Sequence, residues 1–184
     1  CFVIWWCIIA NMRVSADVLD AQSGGDRNAV ELLGRLITPE IVRQVIQKAS
    51  AVNWGAHFLR WRYFDVTHAG RAYHRGTLVA TALWHLLKRI YVDQDWPADT
   101  TLDQLNADAR ATIQAGDTEI WCYGYYRIDP PRLQWGFFNS SMGIAVVYDD
   151  EADLIATVFK PVEGTRFFAG QLSAYRVDRQ EWAI

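Results

Sequence analysis

The chain is short of cysteine and lysine, and it has no long apolar run. Cys1, Cys7 and Cys122 are its only cysteines and cannot all pair. A disulfide scaffold is therefore excluded, and a reducing compartment is the default. No apolar stretch reaches the roughly 18 residues that a membrane-spanning helix needs, so no span is expected. Lysine is confined to Lys48, Lys88 and Lys160, and the formal net charge is −3, so the chain as a whole is no polycation. Charged residues make up 21% against 51% hydrophobic, a balance that excludes intrinsic disorder. The sequence has no GxSxG, no phosphate-binding glycine loop and no dinucleotide fingerprint. No cofactor is expected. No metal site is expected either: His68, His74 and His85 never fall at i, i+4 on one helix face, and no cysteine pair lies near them. The acidic run Asp149–Asp153 lacks the glycine and terminal glutamate of an EF-hand loop. Aromatic residues, by contrast, are plentiful at 14%, with nine tryptophans. They imply a large core or stacking surfaces.

At 184 residues the chain suits one domain. The apolar opening Cys1–Ala10 is open to three readings: the remnant of a leader, codons upstream of a start at Met12, or a strand of the fold. The second is preferred, because Met12-Arg-Val-Ser begins like an ordinary polar N-terminus. Residues 1–25, ending in the loop Ser23-Gly-Gly-Asp26, are placed outside the core. Residues 26–184 form a single α+β domain, with 26–115 mostly helical and 116–184 an antiparallel sheet of about four to five strands.

Helical signals come first. Val30, Leu33 and Leu36 fall at helix spacing. Thr38-Pro39-Glu40 supplies an N-cap with proline at the first helical position, followed by an apolar face of Ile41, Val42, Val45, Ile46 and Ala49. Val79, Leu83, Leu86, Leu87 and Ile90 predict a second helix, which Trp96-Pro97 closes off. Thr101 and Gln104 have capping-box spacing before Leu102, Leu105, Ala109 and Ile113. After Gly116 the period becomes two, predicting strands at 120–126, 133–137, 144–148 and 154–159, with a turn at Asp129-Pro-Pro131 and a hairpin loop at 149–153. Arg166-Phe-Phe168 and Ala174–Val177 are expected to add edge strands. Helices followed by strands argue for a helical layer on one face of an antiparallel sheet.

Residues 54–75 stand apart. They carry Arg60, Arg62, Arg71 and Arg75 against the single acid Asp65, with Trp61 and other aromatics between, and hold His57, His68 and His74. Guanidinium groups that meet phosphates and rings that stack on bases are what a single-stranded nucleic acid requires. A strand with a solvated arginine face fits the same pattern. Histidine moves protons near neutral pH. A metal-free ribonuclease needs two such groups, one to take the 2′-hydroxyl proton and one to protonate the departing 5′-oxygen, with a cation to steady the phosphorane. His57 and His74 are the candidate pair, with Arg71, Arg75 or Lys160 as the cation and Arg60, Arg62 and Trp61 as further substrate contacts. Cys122, in a predicted strand, is expected to be a buried, inert thiol.

The segment Trp135-Gly-Phe-Phe-Asn-Ser-Ser-Met-Gly-Ile-Ala-Val-Val-Tyr148, followed by Leu154-Ile-Ala-Thr-Val-Phe-Lys-Pro161, resembles the closing hairpin of the barnase/EndoU/colicin/RelE-like ribonucleases. Trp96-Pro97 and the helix start at Thr101 are similar to the segment before the sheet in bacterial EndoU-like toxins. The resemblance covers about half of the chain. It implies a toxin-type hydrolase: a helical layer on a four-stranded sheet, and RNA cleavage without metal through a 2′,3′-cyclic phosphate. His57 and His74 would be its acid and base, and Thr157 would contact the scissile phosphate. The glycine-rich run usual between the histidines is reduced here to Gly70. The place of action would be a cytoplasm, the cell's own or one into which the protein is delivered. The competing expectation is a non-catalytic module, of immunity or adaptor type, whose Trp-rich face binds another protein. A structural fragment of a larger assembly is the third.

Overall fold

The computed structural model describes residues 34–52, 59–125, 132–171 and 173–184. The N-terminal segment 1–25, the first turn of the helix expected from Val30, the Asp129–Pro131 turn and His57 lie outside them.

Among the described residues, two of the three longer helices start at the caps the sequence places, and the third, after Ala80, has no side-chain cap. Helix α1 (Pro39–Ala51) starts at Thr38, whose Oγ1 accepts from the Ile41 N–H at 3.3 Å. Glu40 in its first turn and Lys48 in its last complement the helix dipole, and Val42, Val45 and Ala49 form its buried stripe. Helix α2 (Thr81–Tyr91) buries Ala82, Leu86, Leu87 and Ile90. Helix α3 (Leu102–Gln114) carries the full capping box: Thr101 N–H donates to Gln104 Oε1 at 2.7 Å, and Gln104 N–H donates to Thr101 Oγ1 at 3.2 Å.

The expectation that 26–115 is mostly helical requires a correction. Between α1 and α2 lie four three-residue strands: β1 (Leu59–Trp61), β2 (Val66–His68), β3 (Arg71–Tyr73) and β4 (Leu78–Ala80). They make two antiparallel ladders, β1 with β4 and β2 with β3. The link from β2 to β3 is Ala69-Gly70, both at positive φ (48° and 75°), as a two-residue hairpin loop of the primed type needs. Val79, expected in the helix, pairs instead with Arg60 in the β1–β4 ladder, and the helix begins at Thr81.

The C-terminal half is the expected antiparallel sheet, and α+β is the fold class. Strands β5 (Glu119–Tyr125), β6 (Arg132–Asn139), β7 (Ile144–Asp149), β8 (Leu154–Phe159) and β9 (Tyr175–Val177) lie in the order β8-β7-β6-β5-β9. Ile120, Cys122, Trp135, Phe137, Val146 and Tyr148 point to the helix side and join Val45, Leu105 and Ile113 in the main core. Trp121, Tyr123, Phe138, Ala145 and Val147 point the other way and form a second cluster around Phe168. Both faces are thus covered, and β7 is buried throughout.

The second face explains another correction. Residues 166–168 are not an edge strand but the start of a short helix, α4 (Arg166–Ala169). Phe168 is fully buried, and its ring lies where a Cβ on Gly136 would be, 2.3 Å from the ring edge. The glycine in the middle of β6 is the socket, and the helix is the form that delivers the ring to it.

Helix α2 joins the halves. It packs on β1, β2 and β4 and also on β8. Arg89 donates from Nε to the Val158 carbonyl at 2.9 Å and from Nη2 to Thr157 Oγ1 at 2.8 Å, while Nη1 binds Asp93. On the other side, the Tyr91 hydroxyl donates to the Thr67 carbonyl at 2.9 Å.

Candidate anion-binding site

Several charged groups at one end of the sheet are engaged by partners within the fold. A polar cavity of about 410 Å³ lies between Gly116–Glu119 and Arg176–Gln180. Of its two guanidiniums, that of Arg179 donates from Nη1 to the carbonyls of Ala115 at 2.8 Å and Thr118 at 3.2 Å, satisfying backbone at the end of α3. Its Asp117 accepts from Asn139 at 2.6 Å and from Ser141 at 3.1 Å. These hydrogen bonds, Asn139's first and then Ser141's, hold the Asp117 carboxyl below the usual aspartate value. Glu119 accepts from Thr165 and lies 3.4 Å from Arg176. Burial pushes the Cys122 thiol far above its ordinary range, which makes it an inert core residue as expected.

The region 59–80 is built differently. Arg62 follows β1 and extends the β1–β4 ladder: its N–H donates to the Thr77 carbonyl at 3.0 Å, and its carbonyl accepts from the Gly76 N–H at 2.8 Å. Between these partners and β3 the chain turns through His74-Arg75-Gly76. Thr77 closes that turn with its N–H (3.1 Å) and Oγ1 (2.7 Å), both on the His74 carbonyl. Gly76 sits at φ +83°, the left-handed region glycine enters freely. Asp65 reaches over from the start of β2, accepts from the Arg75 N–H, and places Oδ1 3.9 Å from His74 Nδ1. The His74 side chain is 81% exposed, and Arg71 and Arg75 are exposed on either side of it in sequence.

The residues around this turn bring rings and guanidiniums together. Arg62 Cζ is 5.2 Å from the Phe64 ring centre and 5.7 Å from that of Tyr73. Arg71 Cζ is 5.2 Å from the same Tyr73 ring. Arg62 is fully buried, and its Nε, Nη1 and Nη2 have no hydrogen-bond partner among the described residues. A desolvated cation–π contact contributes about 2 kcal/mol. Burying an ion without a counter-charge costs several kcal/mol, and each nitrogen left unpaired adds to that. The two ring contacts therefore offset only part of the cost.

The structure divides the sequence-predicted site residues. Arg62, Arg71, His74 and Arg75 gather on the 59–80 region. Arg60 and Trp61 lie in β1, paired with Val79 and Leu78, their side chains outside the described residues, as is His57. His68 is buried, with Nδ1 3.4 Å from the Tyr91 hydroxyl. Because that hydroxyl donates to Thr67, the imidazole takes the donor role, a packing contact. Thr157 and Lys160 belong to a second group across α2. The Thr157 oxygen accepts from Arg89, so it braces β8. Lys160 lies 4.9 Å over the Trp96 ring, and its N–H donates to Asp95. Sequence reasoning did not assign roles to Phe64 and Tyr73, which hold Arg62, or to Asp65, although a lone acid in a basic window was a visible signal. Among the described residues no group of three or more His, Cys, Asp or Glu side chains is placed to hold a metal ion, and no helix is long and apolar enough to cross a membrane.

Comparison with known proteins adds no relative: no family model, curated protein or solved structure matches the chain.

Proposed function

We propose that the chain acts on RNA as a metal-independent endoribonuclease, with the 59–80 region as its RNA-binding face. The observation that carries this reading is the His74–Arg75–Gly76 turn. It presents an open imidazole with a carboxylate 3.9 Å from one ring nitrogen, beside two exposed guanidiniums in an otherwise acidic chain. An exposed Tyr63 adds a stacking ring. In the proposed reaction one imidazole takes the proton of a 2′-hydroxyl, whose oxygen attacks the adjacent phosphorus. The bond from phosphorus to the 5′-oxygen breaks, and the second imidazole protonates that leaving oxygen. The products are a 2′,3′-cyclic phosphate and a 5′-hydroxyl end. His74 is one of the two groups and His57 is assigned the other. Arg71 and Arg75 neutralise the charge gathering on the phosphorane. Thr157, already engaged by Arg89, has no part in this proposal.

The test is cleavage of a fluorescent RNA by pure protein in EDTA. Wild type should produce cyclic-phosphate ends, and His57→Ala and His74→Ala should each lower the rate at least 100-fold while melting at the wild-type temperature. Intact RNA after long incubation would remove the nuclease reading. A second reading, a non-catalytic protein-binding module, is favoured by the exposure of Tyr63 (69%) and Leu78 (46%) on the same region. It predicts a stable protein complex that is lost in Tyr63→Ala and unaffected by His74→Ala.

A further inference from the structure

We infer that Arg62 is a receptor for one phosphate oxyanion, held closed in the free protein. The inference rests on the RNA reading only for the identity of the ligand as a phosphodiester. Its own ground is the guanidinium itself, which is fully buried with all three nitrogens lacking an acceptor. The side chains around it explain how it is held but not why an arginine is there. Phe64 and Tyr73 give it ring faces, and rings would pack as well on methionine or leucine without burying a charge. The one acid of the region, Asp65, is turned toward the Arg75 N–H and His74 instead.

A guanidinium without an acceptor, on the residue whose backbone is bonded to the turn that displays His74 and Arg75, is suited to receive an anion. Its planar fork of donors matches two oxygens of a phosphate. The backbone bonds from Arg62 to Thr77 and Gly76 tie the receptor to the same turn. A phosphate bound at Arg62 therefore fixes where the next sugar lies relative to His74. The strands flanking it are only three residues long, and ladders this short open locally at less cost than the five-stranded sheet.

The experiment uses thermal melting of the whole chain with two probes at constant ionic strength: orthophosphate, and a short DNA oligonucleotide, which has no 2′-hydroxyl and cannot be cleaved by the proposed route. Both should raise the wild-type Tm. The oligonucleotide should act at a much lower concentration if a polymer phosphodiester is the ligand, and at the same phosphate concentration if free phosphate is. Arg62→Met should abolish the shift and should melt above wild type without ligand, because the unpaired charge is gone. Arg166→Ala, which removes an exposed cation on α4, should keep the shift. Should Arg62→Met not fold, Arg62→Lys decides: loss of the fork should raise the half-saturating phosphate concentration about tenfold. No shift in wild type, a shift retained in Arg62→Met, or unchanged half-saturation in Arg62→Lys overturns the inference. RNA cleavage is scored separately. A phosphate shift without cleavage leaves the receptor standing and removes the nuclease, and cleavage without a shift does the reverse.

Discussion

The sheet with its helices and the small 59–80 region handle charge in opposite ways. In the larger part guanidiniums are used as struts. Arg89 joins α2 to β8 through Val158, Thr157 and Asp93, and Arg179 closes the end of α3. In the smaller part Arg62 is buried without an acceptor, while Arg71, His74 and Arg75 stand in solvent. Residues 54–75 carry four arginines and one aspartate, a charge of +3. The whole chain carries −3, so the remaining residues carry −6. A polar group that has found its partner supports the fold, and one left without a partner costs stability. Where a fold tolerates such a cost, the group is a candidate for function. The contrast therefore marks the 59–80 region as the candidate site and the rest as scaffold.

The sharpest way to test the scaffold side is its tightest contact. Phe168 fills the socket over Gly136, and truncating a fully buried phenylalanine typically removes about 3–5 kcal/mol. Phe168→Ala should therefore lower the urea unfolding free energy by that amount. Gly136→Ala puts a methyl within 2.3 Å of the ring and should cost about 1–3 kcal/mol. The double variant should be more stable than the sum of the singles allows, since the added methyl then enters the space the ring vacated. Simple additivity would show that Phe168 is not seated on Gly136. The phosphate response proposed for Arg62 should survive in every variant that folds, because the socket lies on the sheet face away from the helices.

A smaller effect is expected at the joint between the two parts. Arg89→Met removes three hydrogen bonds and leaves Asp93 paired with Lys88 alone. A loss of about 2 kcal/mol follows from hydrogen bonds to charged groups in a part-buried site. Hydrogen exchange should show that the loss spreads from α2 into both β8 and β2. Exchange that quickens in only one of the two would mean that α2 is not the common support.

How far the fold could be read from the chain depends on how local each determinant is. Thr38-Pro39 and the Thr101–Gln104 pair act within one helical turn, so both caps are visible as motifs and form as expected. The period-two runs of β5 to β8 are long enough to declare themselves. Arg166-Phe-Phe168 misleads because its form is set by Gly136, thirty residues away, and no local pattern contains that socket. Val79 misleads for a similar reason: its spacing continues into α2, but its ladder partner is Arg60. The basic window was legible as a patch, and Arg71, His74 and Arg75 do share one region. The burial of Arg62 was not, because Arg60 and Arg62 at i, i+2 read alike as a solvated strand face. Only the extension of the ladder to Thr77 brings Arg62 against both rings.

The gentlest test uses acid, and it asks which part titrates. Asp117 has its carboxyl held below the usual aspartate value by Asn139 and Ser141. A carboxyl lowered on folding contributes stability that is present in full above its unfolded pKa, about 4, and is lost as pH falls through the folded value. Asp93 behaves alike: burial opposes its ionisation, but Lys88 and Arg89 together outweigh that and keep it low. Both lie in the well-paired part, whereas the 59–80 region has Asp65 as its one carboxylate. Acid should therefore loosen the sheet and its helices first. Asp117→Asn should melt below wild type at pH 7, with the gap closing as pH falls below about 4 and the wild-type carboxyl is progressively neutralised. A gap that stays constant over that range would show that Asp117 supports the fold by shape alone. The contrast between a scaffold held by paired charge and a site defined by unpaired charge would then lose one of its supports.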